Sequence, residues 1–233
     1  MTTYDGQKFF KLYDRDSGAV FQDVVFNNCV FDNCVLSLTR SPELRSTVRN
    51  VQLTNCASVN CGIKCAIFEE VTVDGLKTND LLILWAPLFK HVILKGKTGQ
   101  IKINAVASSV NFSSEMQRPF DVARSRFYET VDWALDISEG QFTLLEMRGV
   151  PGRLVRRNPA TQVLVTREKA LLPGWRERLS PENTYWPMVI GSFLQDGEPD
   201  IVLVAPKSKR KGNYALYVEG LNELRRLGVA EPD

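Results

Sequence analysis

The sequence predicts a mainly β fold in which short strands wind as a parallel coil with four sides per turn, joined by a flanking helix and a C-terminal α/β segment. Two patterns lead there. Between Val51 and Ile103 the chain repeats every 20 residues, and each 20 divides into four fives. On that register Leu53, Val73 and Ile93 form one column, Ile63, Ile83 and Ile103 a second, and Phe68 and Leu88 a third. A smaller apolar set lies two residues ahead of each: Val51 and Val71; Cys61, Leu81 and Ile101; Ala66, Ala86 and Val106. Self-similarity at a fixed period marks units that bury a core only by stacking on their neighbours. In each five, positions one and three point inward and the rest face out, which is strand alternation; pieces this short, with a turn after every few residues, wind rather than lie flat. Successive turns then stack roughly 4.8 Å apart.

The same register precedes the central block in residues 19–38, with Phe21, Phe26, Phe31 and Leu36 inward and Ala19, Val24, Cys29 and Cys34 at the small position. Residues 39–50 shift it and read as a loop bulging from a corner. Residues 111–134 read as a helical insert, capped by Ser113 or Ser114, with Phe120, Ala123, Phe127, Val131 and Ala134 at helical spacing. The fives resume over 135–149, placing Ile137, Phe142 and Met147 inward with Leu135, Gly140 and Leu145 beside them, and RLVRR and QVLVT supply one more turn. Beyond 170 the character changes. A helix from Asn183 to Leu194 carries Trp186, Val189, Ile190 and Phe193 on one side, DIVLVAP reads as a buried strand, and Tyr214 to Leu227 forms an amphipathic helix ended by Gly228. The expected organisation is a coil over 1–170 and a small α/β unit or cap over 171–233.

The fives of residues 19–38, 51–110 and 135–149 resemble the pentapeptide-repeat family, whose consensus is a small residue, Asp or Asn, Leu or Phe, and two variable positions. Asp136 supplies the Asp, while Ser58, Thr78 and Thr98 hold the central slot on one face, as in a degenerate member. The resemblance implies a right-handed quadrilateral β-helix. It also implies a non-enzymatic role, since members of known role mostly bind proteins, protecting a target or neutralising a toxin. A bacterial immunity- or antitoxin-like binder that occludes a partner protein is the specific expectation. Members that protect topoisomerases imitate DNA through a strongly acidic surface, from which this chain departs at a net charge of +2.

The chain has 233 residues, with 29 Lys and Arg against 27 Asp and Glu, so its overall charge predicts neither a nucleic-acid nor a membrane partner. The start MTTYDGQKFFKLYDRDSG has no apolar h-region, and LLILWAPLFKHVIL is too short and interrupted to span a bilayer, which makes a cytoplasmic protein the expectation. Cysteines at 29, 34, 56, 61 and 65 form no C-x-x-C pair, and four of them fall on the small inward position. They read as buried filler rather than metal ligands, and no cofactor is expected.

On this register Leu82, Leu84 and Trp85 face outward on the third side, and Ile67, Pro87 and Phe89 around the next corner. An outward apolar patch calls for a cover: the chain's own helices, a protein partner or a second copy in a homodimer. Lys90, Lys95, Lys97 and Lys102 lie within one coil, with Lys77 beneath Lys97; Lys207, Lys209, Arg210 and Lys211 form a second basic group, and Arg153, Arg156 and Arg157 a third. The candidate partner-binding set is therefore Leu82, Leu84, Trp85, Phe89, Lys90, Lys95, Lys97 and Lys102. The only histidine, His91, takes the inward position of Val51 and Val71 and reads as a core residue. Carboxylates such as Asp74 with Asp80, or Asp136 with Glu139 and Glu146, leave a second function open: an enzyme acting on a carbohydrate or phosphorylated ligand at the junction with the C-terminal unit. A junction cleft lined by two carboxylates favours it, and a junction packed flat with Trp175, Tyr185 and Trp186 counts against it.

Overall fold

The computed structural model describes residues 1–108, 113–207 and 211–232. Its larger part is one parallel sheet of fourteen strands, curled like a half-barrel round an apolar core. The chain lays this sheet down in windings. The first consists of β1 (Thr2–Asp5), β2 (Lys8–Phe10) and β3 (Tyr13–Arg15), and the second of β4 (Val20–Asn27), β5 (Val30–Asp32) and β6 (Val35–Leu38). The third holds β7 (Thr47–Val59) and β8 (Gly62–Lys64), the fourth β9 (Ile67–Thr78) and β10 (Leu82–Trp85), and the fifth β11 (Leu88–Asn104). After helix α1 (Ser114–Glu129), β12 (Leu135–Asp136) and β13 (Gly140–Met147) form a sixth winding, on which β14 (Val155–Arg156) adds a last short strand. Each winding pairs in parallel with the next, so Val24, Val51, Val71, Val92, Leu135 and Val155 stand in one ladder column.

The bends come from single residues in the left-handed region, spaced five apart. Asn50, Asn55, Asn60, Cys65, Glu70 and Gly75 all take φ between 50° and 73°. An ordinary L residue gives up about 1–2 kcal/mol there, and Asn and Gly give up least, which accounts for three Asn and one Gly among these six. After Gly75 the next left-handed residues are Ala86, His91 and Gly96, so the spacing slips by one. The extra residue enters at the turn around Asn79 and Asp80: Ser58 pairs with Thr78, twenty residues on, whereas Ile63 pairs with Leu84, twenty-one on.

That slip corrects the predicted register. Leu82, Leu84 and Phe89 point into the core and are 6%, 7% and 3% exposed, while Ile83 and Ile93 sit on the other face. The third column is Phe68 with Phe89, whose rings stack at 5.6 Å, and the first runs Leu53, Val73 and Leu94. His91 moves from the core to a corner, and Val92 takes the place predicted for it.

Two connections also differ from expectation. The segment predicted as a loop over 39–50 ends at Ser46, contains a 3₁₀ turn at Pro42–Leu44, and tucks Thr39, Arg45 and Ser46 inside rather than bulging. The predicted insert 111–134 is helical over Ser114–Glu129, with Ser113 Oγ accepting from Met116 N; its residues 111 and 112 lie outside those described.

QVLVT leaves the parallel sheet. It forms β15 (Gln162–Thr166), and after a short α2 (Arg167–Ala170) and α3 (Tyr185–Gln195) it pairs antiparallel with β16 (Asp200–Val204), followed by α4 (Lys211–Arg226). β16 is buried on both faces because its alternate residues serve two cores: Val202 and Val204 join the core of the curled sheet, while Ile201 and Leu203 pack with Trp175, Trp186 and Phe193. Gln162, fully buried, donates from Nε2 to Ile137 O at 2.9 Å, and Val202 and Val204 enter the core, so the β15–β16 pair packs against the far end of the sheet.

Candidate functional site

The predicted patch does not assemble. With Leu82, Leu84, Pro87 and Phe89 buried, only Trp85 and Ile67 of its apolar members are partly open, Trp85 beside Lys64, whose ammonium lies 5.4 Å from the ring. Helix α1 takes up the adjoining corner. Phe120 packs on Cys65, Ala86 and Ala107, and Tyr128 Oη accepts from Phe89 N at 3.3 Å. The lysines are partly neutralised from neighbouring windings: Lys95 pairs with Asp74 at 3.6 Å and Lys102 with Glu146 at 3.0 Å. Lys90 is half-buried, Lys77 and Lys97 are exposed, and Lys209 and Arg210 lie outside the described residues.

The C-terminal unit exposes Leu171, Leu172, Met188 and Leu216, and a second group of exposed apolar side chains lies in the first two windings, away from the β15–β16 pair. In the first winding Phe10 is 50% exposed, Leu12 55% and Tyr13 65%; in the second Val20 and Phe21 are 52% and 43% exposed. The cause is architectural. The first winding has three strands, pairing with β4, β5 and β6, and no strand of it runs beside Val20–Gln22, which leaves the inward-facing Phe21 open. Beneath lie two stacked aromatic pairs, Tyr4 on Phe26 at 5.4 Å and Phe9 on Phe31 at 5.2 Å, all four only partly buried. β1, β2 and β3 each have a partner on one side alone, so their other edges present unpaired backbone groups, a template for a further strand. The five-residue register places Phe21, Phe26 and Phe31 inward, and periodicity carries no sign that this end is open.

A cleft of about 520 Å³ lies between the sheet and the C-terminal unit, where α1, the ends of β11 and β13, and the segment Asp196–Pro199 meet. Its carboxylates are engaged: Glu146 with Lys102, Asp196 with Arg148 at 2.7 Å, and Glu198 with Arg124 at 3.6 Å. Burial pushes the Glu198 carboxyl above its ordinary range, and Arg124 opposes that shift. Trp175 and Trp186 belong to the second core, against which Tyr185 packs, and Tyr185 and Trp186 also line a different cleft of about 420 Å³ between α3 and α4.

Two charged groups occupy positions that sequence periodicity could not show. Arg45, 5% exposed, donates from one terminal nitrogen to Cys65 O at 2.9 Å and Ala86 O at 2.7 Å, and its guanidinium lies 5.0 Å from the Phe120 ring centre. Burial lowers its pKa, and burial pushes the neighbouring Cys65 thiol up to about 11, so that thiol stays protonated and unreactive at neutral pH. On the surface His91 bridges two segments: its Nδ1 meets Glu70 of the preceding winding, its Nε2 lies 2.6 Å from Asp132 of the return from α1, and its ring stacks on Trp133 at 4.7 Å. The Arg156 guanidinium lies 4.0 Å from the Trp133 ring centre.

The hydrogen bonds to Asp132 and then Glu70 raise the His91 pKa above its ordinary 6.5, and the His91 bond lowers Asp132 below 3.8. A histidine raised on folding stabilises fully below its unfolded pKa and loses that contribution as pH climbs through the raised value; a depressed carboxyl loses its contribution as pH falls through the depressed value. The clamp is therefore strongest between roughly pH 4 and 6.5. Thermal unfolding of wild type and His91→Ala is expected to differ most near about pH 6 and to converge toward about pH 9. A pH-independent difference would show that stacking on Trp133, not charge, holds the segment.

Among the described residues no group of three or more His, Cys, Asp or Glu is placed to hold a metal ion, and no helix is long and apolar enough to cross a membrane. Compared with family models, curated proteins and solved structures, the chain matches none of them.

Proposed function

We propose that the curled sheet is a right-handed parallel β-helix of the pentapeptide-repeat type and that the protein is a non-enzymatic binding module, docking protein through its first winding. The supporting observation is the asymmetry of the two ends. The β15–β16 pair packs across one, and at the other Phe10, Leu12 and Tyr13 are exposed along a strand edge with no partner among the described residues. Stacked repeats need a polar or covered outer face to stay soluble, so an apolar strand edge of this composition calls for a cover. Strand addition gives such a surface affinity through main-chain hydrogen bonds and specificity through the side chains between them. An immunity- or antitoxin-like role, in which the rod occludes a partner protein, fits this geometry and the family resemblance.

The test is affinity capture with tagged protein, followed by direct titration of whatever is captured against purified variants. Leu12→Asp/Tyr13→Asp is expected to lose the captured protein while Lys77→Glu/Lys97→Glu keeps it. The reverse pattern would move the docking surface to the basic face.

A second reading, an enzyme at the junction cleft, is favoured by the buried Glu198 alone. The cation beside each neighbouring carboxylate counts against it, because a general acid or base needs a free proton position. Activity on glycosides or phosphoesters that is lost in Glu198→Gln would establish it.

A further inference from the structure

We propose that the junction cleft binds a free α-amino acid, with the ligand carboxylate on Arg124 and its ammonium on Glu198. The cleft is built from the fifth and sixth windings, α1 and the C-terminal unit, so the site does not depend on the first winding. Its volume of about 520 Å³ falls within the roughly 300–1,000 Å³ of small-molecule pockets. Two of its side chains are short of partners. Arg124 reaches Ala105 O at 3.4 Å, Asp121 at 3.4 Å and Glu198 at 3.6 Å, all longer than the roughly 2.7–2.9 Å of a good charge-assisted bond. The neighbouring pairs are tighter: Arg148 meets Asp196 at 2.7 Å and Lys102 meets Glu146 at 3.0 Å. The Glu198 side chain is 15% exposed, and among the described residues its closest cation is Arg124 at 3.6 Å. A carboxylate buried with so little to hold it is costly, in keeping with the upward push of burial on its carboxyl. Gly149, at φ 79°, leaves room for the guanidinium, since a Cβ there would lie 2.7 Å from Arg124 Nη1.

Charge and shape select the ligand. Lys102, Arg124 and Arg148 line the cleft against four carboxylates, so a bare anion such as phosphate meets an excess of negative charge. None of the described residues lining it is Phe, Tyr or Trp, which leaves a nucleobase no ring to stack on. The donors of Arg124 and the acceptors of Glu198 lie side by side. A ligand that satisfies both carries a carboxylate and an ammonium equally close together, as an α-amino acid does with one carbon between them. Set antiparallel on the Arg124–Glu198 pair, it closes a ring of four alternating charges in which each carboxylate has a cation on both sides. The planar guanidinium suits a carboxylate in a way an ammonium does not.

The experiment is thermal unfolding of the full chain with each of the common L-α-amino acids at millimolar concentration, followed by calorimetric titration of those that raise the midpoint. At least one is expected to raise it and to bind. The amine left by removing its carboxylate, the acid left by removing its ammonium, and inorganic phosphate are expected to do neither. Arg124→Lys and Glu198→Gln are each expected to weaken binding by roughly thirtyfold or more, while Lys77→Glu/Lys97→Glu binds as wild type does. Both cleft variants keep the size of the side chain they replace, and circular dichroism separates loss of the ligand from loss of the fold. If a variant fails to fold, the amine and acid controls on wild type still decide. Binding by no amino acid, equal binding of the amine, the acid or phosphate alone, or full affinity in a folded Arg124→Lys or Glu198→Gln overturns the proposal.

Discussion

Leu84→Asp is expected to unfold the protein, whereas Ile83→Asp, one residue away, is expected to leave it folded. Leu84 points into the curled sheet between Ile63 and Ile103 of the adjacent windings, at 7% exposure. A carboxylate there has no cation and no water, and the resulting loss, more than about 4 kcal/mol, takes most of the stability of a typical domain. Ile83 stands on the other face in register with Lys102, so an Asp there gains a neighbouring ammonium, and the change is expected to stay within about 1 kcal/mol. Urea unfolding of the two purified variants reads the difference directly. A folded Leu84→Asp together with an unfolded Ile83→Asp would restore the unbroken 20-residue period.

Arg45→Ala is expected to cost about 2–6 kcal/mol and to loosen α1. The estimate follows from two buried carbonyls, those of Cys65 and Ala86, each losing its only side-chain donor at about 1–3 kcal/mol. Burying a guanidinium without a carboxylate is itself costly, and the contacts with these carbonyls and with the Phe120 ring offset that cost. Arg45→Met should fall between wild type and Arg45→Ala, because it keeps packing on Phe120 while orphaning the carbonyls. Chemical denaturation of the three proteins gives the order. An Arg45→Ala protein as stable as wild type would mean that water replaces the guanidinium at the corner.

Much of the architecture is legible in the sequence because a five-residue bend forces inward positions to recur. The columns through Val51, Val71, Leu53 and Val73, and the inward Ile137, Phe142 and Met147, follow from that recurrence alone. The slip at Asn79 is not legible. LLILW is apolar on both faces, so alternation cannot choose between Ile83 and Leu84 as the inward residue. The first left-handed corner after the slip, Ala86, is a residue type that rarely marks a bend, unlike Asn50, Asn55 and Asn60.

The candidate site fared worse for a related reason. Outward apolar residues were inferred from a register one residue out of phase, which placed three core side chains on the surface. The exposed end depends on whether anything lies beyond the first winding, and periodicity within the windings carries no information on that. Arg45 was hidden as well, because nothing in TRSPELRSTVRN separates a buried arginine from a solvated one.

The measurement that tests the docking surface most directly is hydrogen–deuterium exchange of the full chain, free and in its associated form, followed by peptide. Amides of β1, β2 and β3 are expected to exchange readily in the dissociated protein and to become protected on association, with the faces carrying Lys77 and Lys97 unchanged. Protection confined to those lysine faces or to the junction cleft, with β1–β3 exchanging freely throughout, would contradict the account.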